Sequence, residues 1–231
     1  MHRLRNILIV SLLYFFLVVS NIFAASNFDA DYDVDYSVAP SGVTIVTQKV
    51  TLTNKQTNLY AKQYAVIIDS EKIKNVIARD SVGLINPSIS QKNGKTEIGL
   101  TFNEQVVGLG KQFTFTLRYD NLDVASKNGN IWEIYVPGVT DDDTLQTYAV
   151  SLNVPTTFGP LAYRTPAPAD GRHWNKAQMV HGGIAAAYGK SQTFALQLGF
   201  FLQNPRLTPI LEDIALPPDT AYQKIIIQSL D

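Results

Sequence analysis

The chain has no cysteine. That excludes a disulfide framework, a thiol nucleophile and a thiolate metal site anywhere in its 231 residues. Histidine is scarce at three residues, and methionine and tryptophan stand at two each. Charge is thin as well, at 17% of residues, with 19 Lys+Arg against 20 Asp+Glu for a formal net charge of −1. The charges are scattered, so there is no electrostatic footprint for nucleic acid or an anionic membrane surface. No N-x-S/T sequon survives, because Asn86-Pro87-Ser88 carries proline in the middle. No glycine-rich phosphate loop is present either: Gly108-x-Gly110 precedes a strand pattern, not a helix. None of these absences hinders an ordinary core, which a 45% apolar composition can supply.

What is there begins with a targeting segment over residues 1–26. Arg3 and Arg5 form a basic start, Ile7–Val19 an apolar run of 13 residues, and Ala24-Ala25-Ser26 a small-residue cleavage site. The run is shorter than the ~20 residues a membrane-crossing helix needs. The expectation is therefore export to an extracellular or cell-envelope location, with membrane attachment only through an uncleaved signal segment. Cleavage removes Arg3 and Arg5 and no acid, which leaves 17 basic residues against 20 acidic ones.

Beyond residue 26 almost every ordered segment alternates with period 2 and is rich in β-branched and aromatic residues. Strands are predicted at 29–38, 43–53, 63–69, 75–79, 88–91, 95–102, 112–119, 130–136 and 145–154. Asn93-Gly94 between two alternating runs is a strong hairpin signal. The run Phe113-Thr-Phe-Thr-Leu-Arg-Tyr119 places Phe113, Phe115, Leu117 and Tyr119 on one face, as a core strand requires. The fold class expected is all-β: an antiparallel β-sandwich over 27–154, after an N-terminal signal helix. After Pro155 the chain becomes rich in Pro and Gly, then strand-like again at 191–202 and 222–230. Residues 155–231 are read as the start of a second β-rich domain, cut short within a longer polypeptide.

Four features carry potential chemistry. In Phe28–Val38 (FDADYDVDYSV) aspartate fills every second position at Asp29, Asp31, Asp33 and Asp35. A calcium loop of the EF-hand type started at Asp29 would need Gly and Glu where Val34 and Pro40 stand. The row reads better as the wet face of an edge or near-edge strand, whose like charges discourage pairing with another sheet. Asp141, Asp142 and Asp143 are a second acidic group, a calcium candidate or simply a solvated turn. His173 and His181 sit eight residues apart in a Gly/Pro-rich segment with Asp170 as their only close acid, read as a polar loop over a hydrolase centre. Trp132, Tyr135 and Trp174 are the candidates for stacking on a sugar ring. Trp132 shares its face with Ile134 and Val136, which favours the core.

The run YAVIIDSEKIKNVIARDSVGLINPSISQKNGKTEIGLTFNEQVVGLGKQFTFTLRYDN (64–121), followed by NGNIWEIYVPGV (128–139), resembles the N-terminal regions of exported bacterial transglutaminase-like proteins. The resemblance implies a signal peptide, β-sandwich modules and a downstream Cys/His/Asp catalytic domain. The missing cysteine means no catalytic residue transfers to this chain. A weaker likeness, at Gly108-x-Gly110 followed by Leu117-x-Tyr119, is to the N-terminal sandwich of M1 aminopeptidases. The expectation is thus a non-catalytic accessory or presentation module with no cofactor, whose partner is a downstream domain of the same polypeptide. A free-standing module that binds a cell-surface protein or glycan is the alternative.

Overall fold

The computed structural model describes residues 27–220 and 223–229, so the signal segment falls outside the described residues. Fourteen strands are described: β1 (Phe28–Val38), β2 (Thr44–Asn54), β3 (Gln63–Ile68), β4 (Ile73–Arg79), β5 (Leu84–Ile85), β6 (Ser88–Lys92), β7 (Lys95–Thr101), β8 (Gln112–Asn121), β9 (Ala125–Asn128), β10 (Ile131–Val136), β11 (Leu145–Asn153), β12 (Leu161–Thr165), β13 (His173–Trp174) and β14 (Ile184–Tyr188). A single described α-helix, α1 (Lys176–Val180), starts on a capping box in which Asn175 and Gln178 satisfy each other's backbone N–H groups. The chain divides into two compact units between Gln192 and Thr193.

In the first unit, a seven-stranded sheet runs in the order β13-β11-β1-β2-β8-β4-β5, beside a three-stranded sheet β3-β7-β6 and a four-stranded sheet β12-β14-β10-β9. The long strands exist because their inward positions are mostly apolar, with Thr44, Gln48 and Asn54 of β2 and Asn121 of β8 as buried polar exceptions. Val34, Tyr36 and Val38 of β1, Val46 and Val50 of β2, and Phe113, Phe115, Leu117 and Tyr119 of β8 are all buried. The three-stranded sheet packs over this face through Tyr64 on Phe115, with ring centroids 5.1 Å apart, and through Phe102 on Phe113 at 4.4 Å. Side chains of this size contribute about 1.5–3 kcal/mol each on full burial. The Asn93-Gly94 turn takes positive φ at both residues, 55° and 78°, as a tight hairpin between β6 and β7 requires.

Three expectations are corrected. The aspartate-bearing strand β1, expected at or near an edge, is not the edge strand but third in its sheet, antiparallel to β2 and parallel to β11. Its outward carboxylates do not repel β11, because β11 presents Thr147, Ser151 and Asn153 as hydrogen-bond donors to them. Second, the compact unit does not stop at Val154. Residues after it supply β12 and β14 to the four-stranded sheet and β13 to the seven-stranded one. These strands are two to five residues long, too short for periodicity to show. Third, the alternating run 191–202 forms no strand, and neither do the described residues 223–229. The second unit, from Thr193, has neither helix nor strand among its described residues, and its apolar side chains such as Phe194, Leu196 and Phe201 are exposed. Alternation makes a strand only where a neighbour takes up the backbone N–H and C=O groups.

Candidate functional site

The outward face of the seven-stranded sheet is a lattice of acids and hydroxyls. Thr147 Oγ1 donates to Asp31 at 2.7 Å, and Ser151 Oγ and Asn153 Nδ2 both donate to Asp35 Oδ2 at 2.8 and 2.7 Å. Asp29 is held by Lys55 at 3.0 Å and by Gln146 at 3.3 Å. Asp33 stands opposite Lys49 of β2. The carboxylates are therefore distributed along the strand, with separate donors on Asp29, Asp31 and Asp35, and do not converge on one point.

Asp141, Asp142 and Asp143 likewise diverge. Asp141 pairs with Lys176 of α1 at 2.9 Å. Asp142 accepts the Thr144 N–H at 2.7 Å, and the donors of Thr144 hold its carboxyl below the ordinary carboxylate range. The Asp143 carbonyl accepts from the Gln146 side chain. Among the described residues no group of three or more His, Cys, Asp or Glu side chains is placed to hold a metal ion.

His173 sits on β13 directly across from Ser151 of β11. Its Nδ1 lies 2.8 Å from Asp170 Oδ2, and Asp170 also accepts the backbone N–H groups of His173 and Arg172. The His173 ring and those two amides drive the Asp170 carboxyl far below its usual range. The topology thus brings a serine, a histidine and an aspartate into one row, which sequence spacing concealed. It is not wired as a nucleophilic triad: the Ser151 hydroxyl proton points to Asp35, not to the imidazole. His181 is the C-terminal cap of α1 and is exposed.

Trp174 is a core residue, 1% exposed, with its Nε1–H donating to the Pro166 carbonyl at 2.8 Å and the Arg164 guanidinium 5.4 Å from its ring. Trp132 is half-buried and stacks on Phe158 at 3.9 Å, while Gly42 closes over its edge. Tyr135 alone of the three aromatic candidates is exposed, at 56%. It has a companion that sequence reasoning missed. Tyr163 of β12 is 54% exposed, and the register places Tyr163 opposite Ala187 and Tyr135 opposite Ala185, on either side of β14. The only sequence signal for it was the five-residue run Leu161–Thr165 between Pro160 and Pro166.

Two further groups are structural. Asp80 is buried, and burial opposes its ionisation. The backbone N–H groups of Asn103, Gly83 and Glu104 and the Asn103 amide outweigh that cost and hold its carboxyl below the ordinary range. Tyr32, Tyr36, Tyr119 and Tyr148 form a phenol cluster inside the sandwich. Burial pushes Tyr32 up to about 12, helped by Asp142, and Tyr36 and Tyr119 beyond that, so all stay neutral. Gln48 donates to the Tyr119 hydroxyl at 3.1 Å, and the Tyr32 and Tyr64 hydroxyls bond to each other. An open depression of about 350 Å³ at the end of the four-stranded sheet has Lys190 as its one charged lining residue.

No protein-family model matches the chain. No curated protein matches it either. Among solved structures it is similar to native yeast LTA4 hydrolase, at 12% identity and a TM-score of 0.44 over 70% of this chain and 29% of that one. It is also similar to a two-domain M1 zinc metallopeptidase, at 11% identity and a TM-score of 0.36 over 71% of this chain and 39% of that one. The chain thus spans well under half the length of either protein. At this level of agreement the likeness transfers no residue, substrate or activity, and it does not bear on the transglutaminase-like resemblance.

Proposed function

We propose that the chain is an exported, non-catalytic β-sandwich module that presents or docks a neighbouring domain of the same polypeptide at the cell surface. The observation that carries this reading is how its polar side chains are used. Asp31 and Asp35 bind β1 to β11, Asp141 ties the loop before β11 to α1, and Asp170 braces the turn into β13. Such cross-links favour a rigid support. The basic-apolar-small pattern of residues 1–26 supports export, and the likeness to transglutaminase-like proteins supports a Cys/His/Asp domain as the neighbour.

Epitope tagging of the gene in its own host, followed by cell fractionation and peptide mass spectrometry, tests the reading. The expected result is an extracytoplasmic polypeptide whose mature N-terminus lies near Ser26, with peptides from a Cys/His/Asp domain in the same chain. Retention in the cytoplasm with residues 1–26 intact would sink it. A processed polypeptide without such a domain would favour the alternative, a free-standing surface-binding module, for which the exposed ring of Tyr135 speaks.

A further inference from the structure

We infer that Asn128-Gly129 is a site of spontaneous deamidation in the folded protein, while the chemically identical pair Asn93-Gly94 is held shut by Glu71. These are the two Asn-Gly pairs of the sequence, and all four residues are exposed at hairpin tips. Glycine after asparagine favours the reaction, because no side chain blocks the approach and the backbone rotates freely. The glycine nitrogen gives up its proton and attacks the asparagine carboxamide carbon. A C–N bond forms to that carbon, the bond to Nδ2 breaks, and ammonia leaves with the proton. Water then opens the five-membered imide at either carbonyl, leaving aspartate or isoaspartate at that position.

Two features close this route at Asn93. Asn93 and Gly94 are the central residues of the β6–β7 turn, both at positive φ, which is the type I′ arrangement. At left-handed values of about +57° for φ and about +47° for ψ, the following nitrogen lies nearly anti to the residue's own Cβ. The Asn93 carboxamide therefore cannot reach that nitrogen without unmaking the turn. The Gly94 N–H also donates to Glu71 Oε1 at 2.8 Å. A carboxylate that accepts this bond stabilises the protonated amide, the form that cannot attack. Neither feature is found at Asn128. Its φ is not in the left-handed region, and it is the last residue of β9, an edge strand. Gln192 takes the Asn130 N–H at 3.0 Å, but the Gly129 N–H has no acceptor among the described residues. Bringing the Gly129 nitrogen onto the carboxamide opens only the Asn128–Ile131 pair at the strand end, where opening is least costly. Isoaspartate there lengthens the backbone by one atom at the β9–β10 tip and loosens that hairpin.

The purified full chain is kept in mildly alkaline buffer, and conversion of each asparagine is followed by peptide mapping with mass spectrometry. Position 128 is expected to convert first, with position 93 slower by roughly tenfold. In urea, where no turn is held, the two positions should convert at similar rates. Glu71→Ala should speed position 93 about fivefold, the weight of one exposed charged hydrogen bond, and leave position 128 unchanged. Asp69→Ala breaks the Asp69–Lys95 ion pair at the same hairpin without touching the Gly94 N–H, so both rates should stay as in the parent. Circular dichroism melts confirm that the variants are folded. Equal rates at the two positions of the folded parent overturn the proposal. So does an Asn128 that stays intact in the folded chain while the urea-unfolded chain converts. No acceleration by Glu71→Ala, or equal acceleration by Asp69→Ala, overturns the role given to Glu71.

Discussion

Asp80 shows how much one carboxylate can organise. It is 5% exposed, and it gathers the turn between β4 and β5 together with the residues after β7 on a single pair of oxygens. Asp80→Ala takes a charged acceptor away from those amides, so a loss of about 2 kcal/mol is expected in urea unfolding. The same group predicts an acid limb. Its folded carboxyl titrates below the unfolded value of about 3.9, so its contribution is present above that pH and fades as pH falls through the folded value. Asp123, held down by Lys72 and Ser70, acts in the same direction. Asp80→Asn should therefore lose less stability than the parent between about pH 5 and pH 3, as Tm measured against pH would show. The full role of Asp80 was not legible in the sequence, since beyond the local turn its partners lie 23 and 24 positions away in a loop without pattern.

Among the elements, strands were read well and their order was not. Nine strand ranges follow from alternation to within two residues at either end, because a half-buried strand must alternate. Pairing depends instead on which side chains complement each other across the sheet. Asp31 and Asp35 meet Thr147 and Ser151 in parallel register, 116 positions away. Turns divide in the same way. Gly94 adopts φ 78° with open space around it, so Gly94→Ala costs only the strain of positive φ, about 1 kcal/mol. Gly183 adopts φ 79°, and a Cβ there would fall on the Val136 carbonyl oxygen and 2.6 Å from the Gly138 nitrogen. Gly183→Ala is expected to cost 3 kcal/mol or more, by roughly adding the clash to the strain. Chemical unfolding of the two variants side by side checks the contrast.

For the molecule as a whole, the position of the unit boundary has a direct consequence. A chain ended at Gln192 keeps all three sheets and should unfold cooperatively, with Tm within about 3 °C of the full chain. A chain ended at Val154 loses β12, β13, α1 and β14. That strips Trp174, Met179 and Ile184 from the core cluster and leaves β10 with only β9 beside it. Losing several fully buried side chains exceeds the stability margin of an ordinary domain, so no cooperative melt is expected for it by circular dichroism. A stable fragment ending at Val154 would instead restore the boundary that composition suggested.

The sequence by itself determined the all-β class, most strand positions, the Asn93-Gly94 turn, the absence of thiol chemistry and the inward placement of Trp132. Each of these follows from local periodicity, backbone sterics or composition, which need no knowledge of distant neighbours. Only the tertiary structure decided the rest. It put the aspartate strand inside its sheet, because β11 supplies donors to its carboxylates. It buried Trp174 against Arg164 and Pro166, and it set Tyr163 two strands from Tyr135. Those outcomes depend on which short strands find each other after long stretches of chain, and period-2 alternation carries no record of that choice.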